Sequence, residues 1–253
     1  MTGGTNAARP RRDERVASVG AIRGLFRRVE VGALIGAAVV WVLFALIAPR
    51  TWVSVTGMAR ILDPASTLGI MATAVALLMI AGETDLSTGV MTGTTGLVAG
   101  LLATRAGWNL WPAMLAALVF ALLVGYLNGV LVVRTRLPSF IVTLATFFIL
   151  RGANVGVTRL VTNQVYVGGI DAATGFTAAR SVLNIGVNVL GAEFRSAILW
   201  WVVIVAIAHI VLQRTRYGSW IFAAGGDPVA ARNVGVPASR VKITLFMVTA
   251  AAA

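Results

Sequence analysis

Residues 111–152 read "WPAMLAALVFALLVGYLNGVLVVRTRLPSFIVTLATFFILRG". Two apolar runs, 111–133 and 140–157, flank the five residues "RTRLP" at 134–138. A run of about 18 apolar residues is long enough to cross a bilayer as a helix. A short loop between two such runs makes them antiparallel neighbours, and its Arg134 and Arg136 mark the cytoplasmic face, where arginine and lysine are enriched in short loops.

Composition agrees with that reading. The 253 residues are 58% hydrophobic and only 12% charged, with mean hydropathy +0.88, whereas soluble domains are about a quarter charged. No cysteine is present, which excludes disulfides, thiolate metal sites and cysteine nucleophiles. The net charge of +12 comes from 21 basic and 9 acidic residues. Arg9, Arg11, Arg12, Arg15, Arg23, Arg27 and Arg28 stand ahead of the first apolar run without aromatic interleaving. They read as a basic cytoplasmic tail, 1–30, rather than a nucleic-acid surface.

Outward from the central pair, apolar runs at 31–48, 66–82 (beginning near Ile61), 88–104 and 197–212 give six spans in all, and a seventh begins at Val241. The expected fold is all-α and polytopic, with a transmembrane domain over 31–253. With the N-terminus inside, the turn 83–87, the loop 134–138 and the segment 213–240 are cytoplasmic, and 158–195 is a long external loop. That loop is expected to hold a short re-entrant or interfacial segment around 181–190.

The segment 213–240 carries the sharpest local signal, "GGDPVAARNVGVP" at 225–237. Gly225 and Gly226 break the chain, Asp227 is an N-cap type and Pro228 suits the first helical position. Gly235 is a terminator and Pro237 prevents resumption. About two turns of helix result, too short to be stable alone in water.

Chemistry is otherwise sparse. Lys242 is the only lysine and follows no glycine-rich loop, so no GxxxxGK[ST] phosphate loop exists. His209 is the only histidine, which leaves no HExxH metal site and no Ser/His pair suited to hydrolysis. It reads as a packed or snorkelling helix-end residue. The expectation is a non-enzyme that holds no metal. Glu83 and Asp85, in "AGETDLSTG" at 81–89, are the conspicuous exception. Three readings stand open: Asp85 caps the third span ahead of Ser87, the break gates a path, or the pair forms an ion site. Arg134 or Arg232 would relieve the charge. Asn128, Thr143 and Thr146 are polar residues within spans, fit for interhelical hydrogen bonds or contact with a hydroxylated solute. Arg151 is placed near the outer end of the fifth span, where its side chain would reach the interface.

"AGETDLSTG", "GYLNGVLVVRTRLPSFIVTLATFFILRG" and "RYGSWIFAAGGDPVAARNVGV", in this order, resemble the permease subunits of bacterial ABC importers for simple sugars, the ribose, xylose and galactose permeases among them. The resemblance covers roughly residues 60–253 apart from the external loop. It implies that Gly225, Gly226, Asp227, Ala230, Ala231, Arg232 and Gly235 belong to a coupling helix docking on a cytoplasmic ATPase. It also implies that ATP and Mg are held by that partner, not this chain, in the bacterial inner membrane. A second permease subunit, in a homodimer, and an extracytoplasmic solute-binding protein are the other implied partners. Thr84 departs from the aliphatic residue usual there. Family members continue for several more helices, so a C-terminally truncated chain is expected. A branched-chain amino-acid permease, or a self-contained ion-coupled transporter or channel using Glu83 and Asp85, are the alternatives.

Overall fold

The structure is a computed structural model and describes residues 29–253; the basic tail before Val29 lies outside the described residues. The chain divides after Ser54 into two units. The first holds helix α1 (Val29–Ile47) and the single turn α2 (Pro49–Trp52), where Phe44 stacks on Trp52 with ring centroids 4.9 Å apart.

The second unit contains α3 (Val55–Ile80), α4 (Thr88–Thr104), α5 (Leu110–Thr135) and α6 (Ser139–Thr162), then α7 (Phe176–Leu183) and strands β1 (Gly186–Val189) and β2 (Ala192–Arg195). Helices α8 (Ala197–Arg214), α9 (Arg216–Gly226), α10 (Pro228–Asn233) and α11 (Ala238–Ala252) complete it. Among the described residues, four helices, α3, α5, α6 and α8, are long and apolar enough to cross a membrane. Leu115, Leu123, Phe148, Leu199 and Ile207 on their outer faces are all exposed, as lipid contact requires.

Several boundaries move from the expected ones. Helix α3 starts at Val55, not near Ile61, and runs through Pro64. The proline removes the ladder donor that would meet the Arg60 carbonyl, and beside it the Ser66 and Thr67 hydroxyls donate to the Asp63 carbonyl at 2.7 and 3.3 Å. Helix α6 continues to Thr162 and stops where Asn163 turns left-handed, φ 58°.

The segment after it is not all loop, and the fold is not purely α. Strands β1 and β2 form an antiparallel hairpin in the register Gly186↔Arg195 to Val189↔Ala192. Leu190 and Gly191 both have positive φ, the geometry a two-residue hairpin turn demands. The segment around 181–190 is thus the end of α7 and the first strand. The Arg195 guanidinium pairs with Asp63 of α3 at 3.5 Å.

Helices α5 and α11 cross closely. Gly125 and Gly129 stand four apart on α5, and a Cβ on them would come within 2.8 Å of the Met247 and Ile243 Cα atoms. Small residues at this spacing admit a neighbouring backbone in membranes. One core cluster lies beside this crossing, built on Leu78, Val132, Val142, Ile221, Leu245 and Phe246.

Candidate functional site

The turn between α3 and α4 is built by backbone geometry first. Gly82 has φ +82°, the Glu83 amide donates to the Leu78 carbonyl at 3.2 Å and the Gly82 amide to Met79 at 3.0 Å. This is the left-handed glycine termination that ends many helices. The chain then crosses to Thr88 within reach of the first turns of α6. The Thr84 amide donates to Ser139 Oγ and the Leu86 amide to Thr143 Oγ1, both at 3.1 Å.

Asp85 is buried at the centre. Its Oδ1 accepts from the Ser87 amide at 2.9 Å and from Ser87 Oγ at 2.6 Å; its Oδ2 accepts from Thr249 Oγ1 of α11 at 2.9 Å. Asn128 of α5 donates from Nδ2 to Ser87 Oγ at 3.0 Å and accepts at Oδ1 from Thr146 Oγ1 of α6 at 2.6 Å. Four helices are thereby tied to one carboxylate. Asp85 lies in the connecting turn, outside both flanking helices. Burial pushes its carboxyl above the ordinary range, while hydrogen bonds from Ser87 and Thr249 pull it down. Ser87 occupies the N-cap position of α4 but gives no side-chain cap bond; Asp85, two residues earlier, receives the Ser87 amide instead.

Glu83 pairs with Lys242 of α11. Both side chains are largely buried, 13% and 14% exposed. Neither Arg134 nor Arg232 fills that place. Helix α11 begins at Ala238, three residues ahead of the expected start at Val241, so Lys242 falls in its second turn beside Glu83.

The segment after α8 reaches the same corner. The pair Gly225-Gly226 does not break the chain; helix α9 runs through both and ends at Asp227. A side chain on Gly225 would strike the Ile80 carbonyl, and Gly82 stands 3.5 Å from the Gly225 backbone by the same measure. The last turn of α9 thus rests directly on the α3–α4 turn. Asp227 caps α10, its Oδ1 accepting from the Val229 and Ala230 amides at 2.9 and 3.0 Å. Pro228 is the first helical residue and Ala231 is buried. Gly235, φ +86°, closes the helix as the Val236 amide donates to the Ala231 carbonyl at 2.9 Å. The Arg232 Nε donates back to the Pro228 carbonyl at 3.1 Å. Between α10 and the turn lies a cavity of about 370 Å³ whose wall includes Glu83, Arg136, Pro138, Pro228, Arg232 and Lys242.

A family described as "Branched-chain amino acid transport system / permease component" matches residues 57–253. The chain belongs to this permease family. Similar proteins include the autoinducer 2 import system permease protein LsrC of Escherichia coli, 29% identical over 219 residues, which are 86% of this chain and 59% of LsrC. The fructose import permease protein FrcC of Rhizobium meliloti is 29% identical over 208 residues, 81% of this chain and 56% of its own. The ribose import permease protein RbsC of Escherichia coli is 28% identical over 220 residues, 86% and 64%. The chain thus spans about three-fifths of the length of the curated relatives it matches. No solved structure matches it significantly.

In this permease six of the seven residues singled out as path or gate candidates, Glu83, Asp85, Ser87, Asn128, Thr143 and Thr146, gather around the turn. Arg151 does not join them. It sits mid-way along α6, its guanidinium 6.0 Å from the centroid of the Phe147 ring. His209 lies on α8 beside an apolar cavity with Gly69 and Trp201. Among the described residues, no group of three or more His, Asp or Glu side chains comes together. Ser139, Thr249 and Lys242 went unread as site residues in the sequence. Lys242 carried a signal, since the only lysine of the chain, at the start of a span, needs a counter-charge.

Proposed function

We propose that the chain is the membrane-spanning permease subunit of an ATP-driven importer for a monosaccharide or similar small polar solute. The observation that carries this is the seating of the short capped helix α10 and the end of α9 against the α3–α4 turn. A device this short needs a partner surface, and a turn tied to four helices is a place from which a push spreads through the bundle. The printed functions of LsrC, FrcC and RbsC, all importers of small molecules, support the substrate class.

In this reading six spans precede the 213–240 segment and a seventh follows, with the N-terminus in the cytoplasm. Helix α10 is the coupling helix, with Gly225, Gly226, Asp227, Pro228, Ala230, Ala231, Arg232 and Gly235 as its framework. ATP and Mg are bound and hydrolysed by cytoplasmic partner subunits. A second permease subunit completes the path, and an extracytoplasmic solute-binding protein delivers the solute at the face holding 158–195. Glu83 is neutralised by Lys242 and both Asp85 oxygens are occupied by protein donors, which favours a structural gate over an ion site.

Val229 on α10 and Val234 at its C-cap are 60% and 80% exposed, apolar side chains at the proposed ATPase contact. Affinity purification of the tagged chain from its native membranes tests the reading. A Walker-motif ATPase should co-purify with the native chain and be lost with the double variant Val229→Glu/Val234→Glu, which leaves the buried Ala231 untouched. Failure of any ATPase to co-purify with folded native protein would overturn the importer reading.

A further inference from the structure

The extension of α6 changes the position of Arg151. Twelve residues separate it from Ser139 and eleven from Thr162, so its Cα lies roughly 16–18 Å from either end at 1.5 Å per residue. An arginine side chain cannot carry its charge that far to the membrane surface. Arg151 is exposed, and among the described residues no carboxylate pairs with it. A guanidinium at this depth is costly in hydrocarbon and in membrane proteins faces a water-filled cavity or a partner charge.

Its neighbours on the helix are specific. Phe147 lies one turn before, with its ring under the guanidinium. Asn154 lies one turn after, on the same side, and donates to Thr94 Oγ1 of α4 at 3.0 Å. Gly89 and Gly93 of α4 face the Phe147 ring and the Asn154 amide, at 3.8 and 3.9 Å from a built Cβ. An aromatic face, a fixed cation and an amide in one row suit the apolar face and the hydroxyl oxygens of a polyol.

We infer that the α6 face bearing Phe147, Arg151 and Asn154 lines the aqueous translocation path, with the Arg151 guanidinium turned toward an oxygen-rich solute. This rests on the transport reading but not on the ATPase contact. Helix α6 then has two functions: its first turns hold the α3–α4 turn, and its middle presents the charge to the path.

The absence of cysteine makes a direct test available. Single variants Arg151→Cys and Phe147→Cys are compared with Ile149→Cys, which is 68% exposed and lies roughly opposite Arg151 around the helix. Each is expressed with its partner subunits, and membrane vesicles are treated with the impermeant reagent sulfonatoethyl methanethiosulfonate. Thiols in water ionise and react, while those in lipid do not. The expected result is labelling at 151 and 147 at least about tenfold faster than at 149. Equal, slow labelling at all three positions would overturn the inference. Arg151→Leu in lipid nanodiscs supplies a second reading: an unchanged or lowered melting temperature supports the aqueous path, and a raised one shows a lipid-facing arginine and overturns it. Labelling reads the path whether or not an ATPase co-purifies, so loss of the importer reading and loss of this one are separate results.

Discussion

Asp85 stands at the hub of the hydrogen bonds that join the site's helices, and its role is to hold rather than to react. Both oxygens accept from protein donors, and these donors in turn reach α5, α6 and α11 through Asn128, Thr146 and Thr249. Asp85→Ala leaves the buried Ser87 hydroxyl without its acceptor and the Thr249 hydroxyl with only the Phe246 carbonyl at 2.9 Å. Loss of hydrogen bonds to a charged group costs about 1.5–3 kcal/mol, so the variant should melt well below the native protein in detergent. Asp85→Asn keeps one acceptor oxygen and should fall between the two. Equal melting of all three would show that the carboxylate holds nothing. The Glu83–Lys242 pair makes a different prediction, because each partner leaves a largely buried charge behind when the other is removed. Glu83→Gln and Lys242→Met should each be destabilising, and the double variant should recover most of the loss. Additive losses in that cycle would refute the coupling.

At the scale of elements, the decisive feature is the absence of a side chain. Gly225 rests on the Ile80 carbonyl, whereas the adjoining Gly226 has nothing within 4 Å of a built Cβ. Gly225→Ala should therefore push α9 off the α3–α4 turn, at a cost of about 1–3 kcal/mol for overpacking, while Gly226→Ala should be tolerated. Melting curves of the two variants in one detergent decide it; equal behaviour would mean that the contact yields freely. This pair also shows what could be read from sequence. Asp227, Pro228 and Gly235 were legible because capping chemistry is local, and the structure gives each its expected position. Gly225 and Gly226 were misread as a break because Gly225 serves a contact with Ile80, far earlier in the chain, which no local rule detects. Helix α9 went unread for the same reason. The apolar runs 88–104 and 197–212 matched their helices within two residues, because hydropathy alone delimits them. Arg151 was placed near an end because the apolar run closes at Val157, whereas the helix continues for about one and a half more turns, to Thr162, with Thr158 and Thr162 buried.

For the molecule as a whole, the consequence is a separation of tasks along α6. One end of the helix follows the loop 134–138, which shares a cavity with α10, and holds the turn 82–87; the other leads to α7 and the β1–β2 hairpin. At 24 residues the helix is about 36 Å long, enough to put these two groups on opposite sides of a hydrocarbon core about 30 Å thick. On the orientation proposed above, the arginines of 134–138 mark the cytoplasmic end and the hairpin lies outside. The chain's lack of cysteine lets single introduced thiols read this arrangement. Arg134→Cys and Val187→Cys both replace exposed side chains, so neither should disturb folding. In intact cells an impermeant maleimide should label Val187→Cys and spare Arg134→Cys, and permeabilisation should expose the latter. Labelling of Arg134→Cys in intact cells would invert the orientation. It would also turn the α10 face away from any cytoplasmic ATPase, so this one comparison bears on the direction in which force enters the bundle.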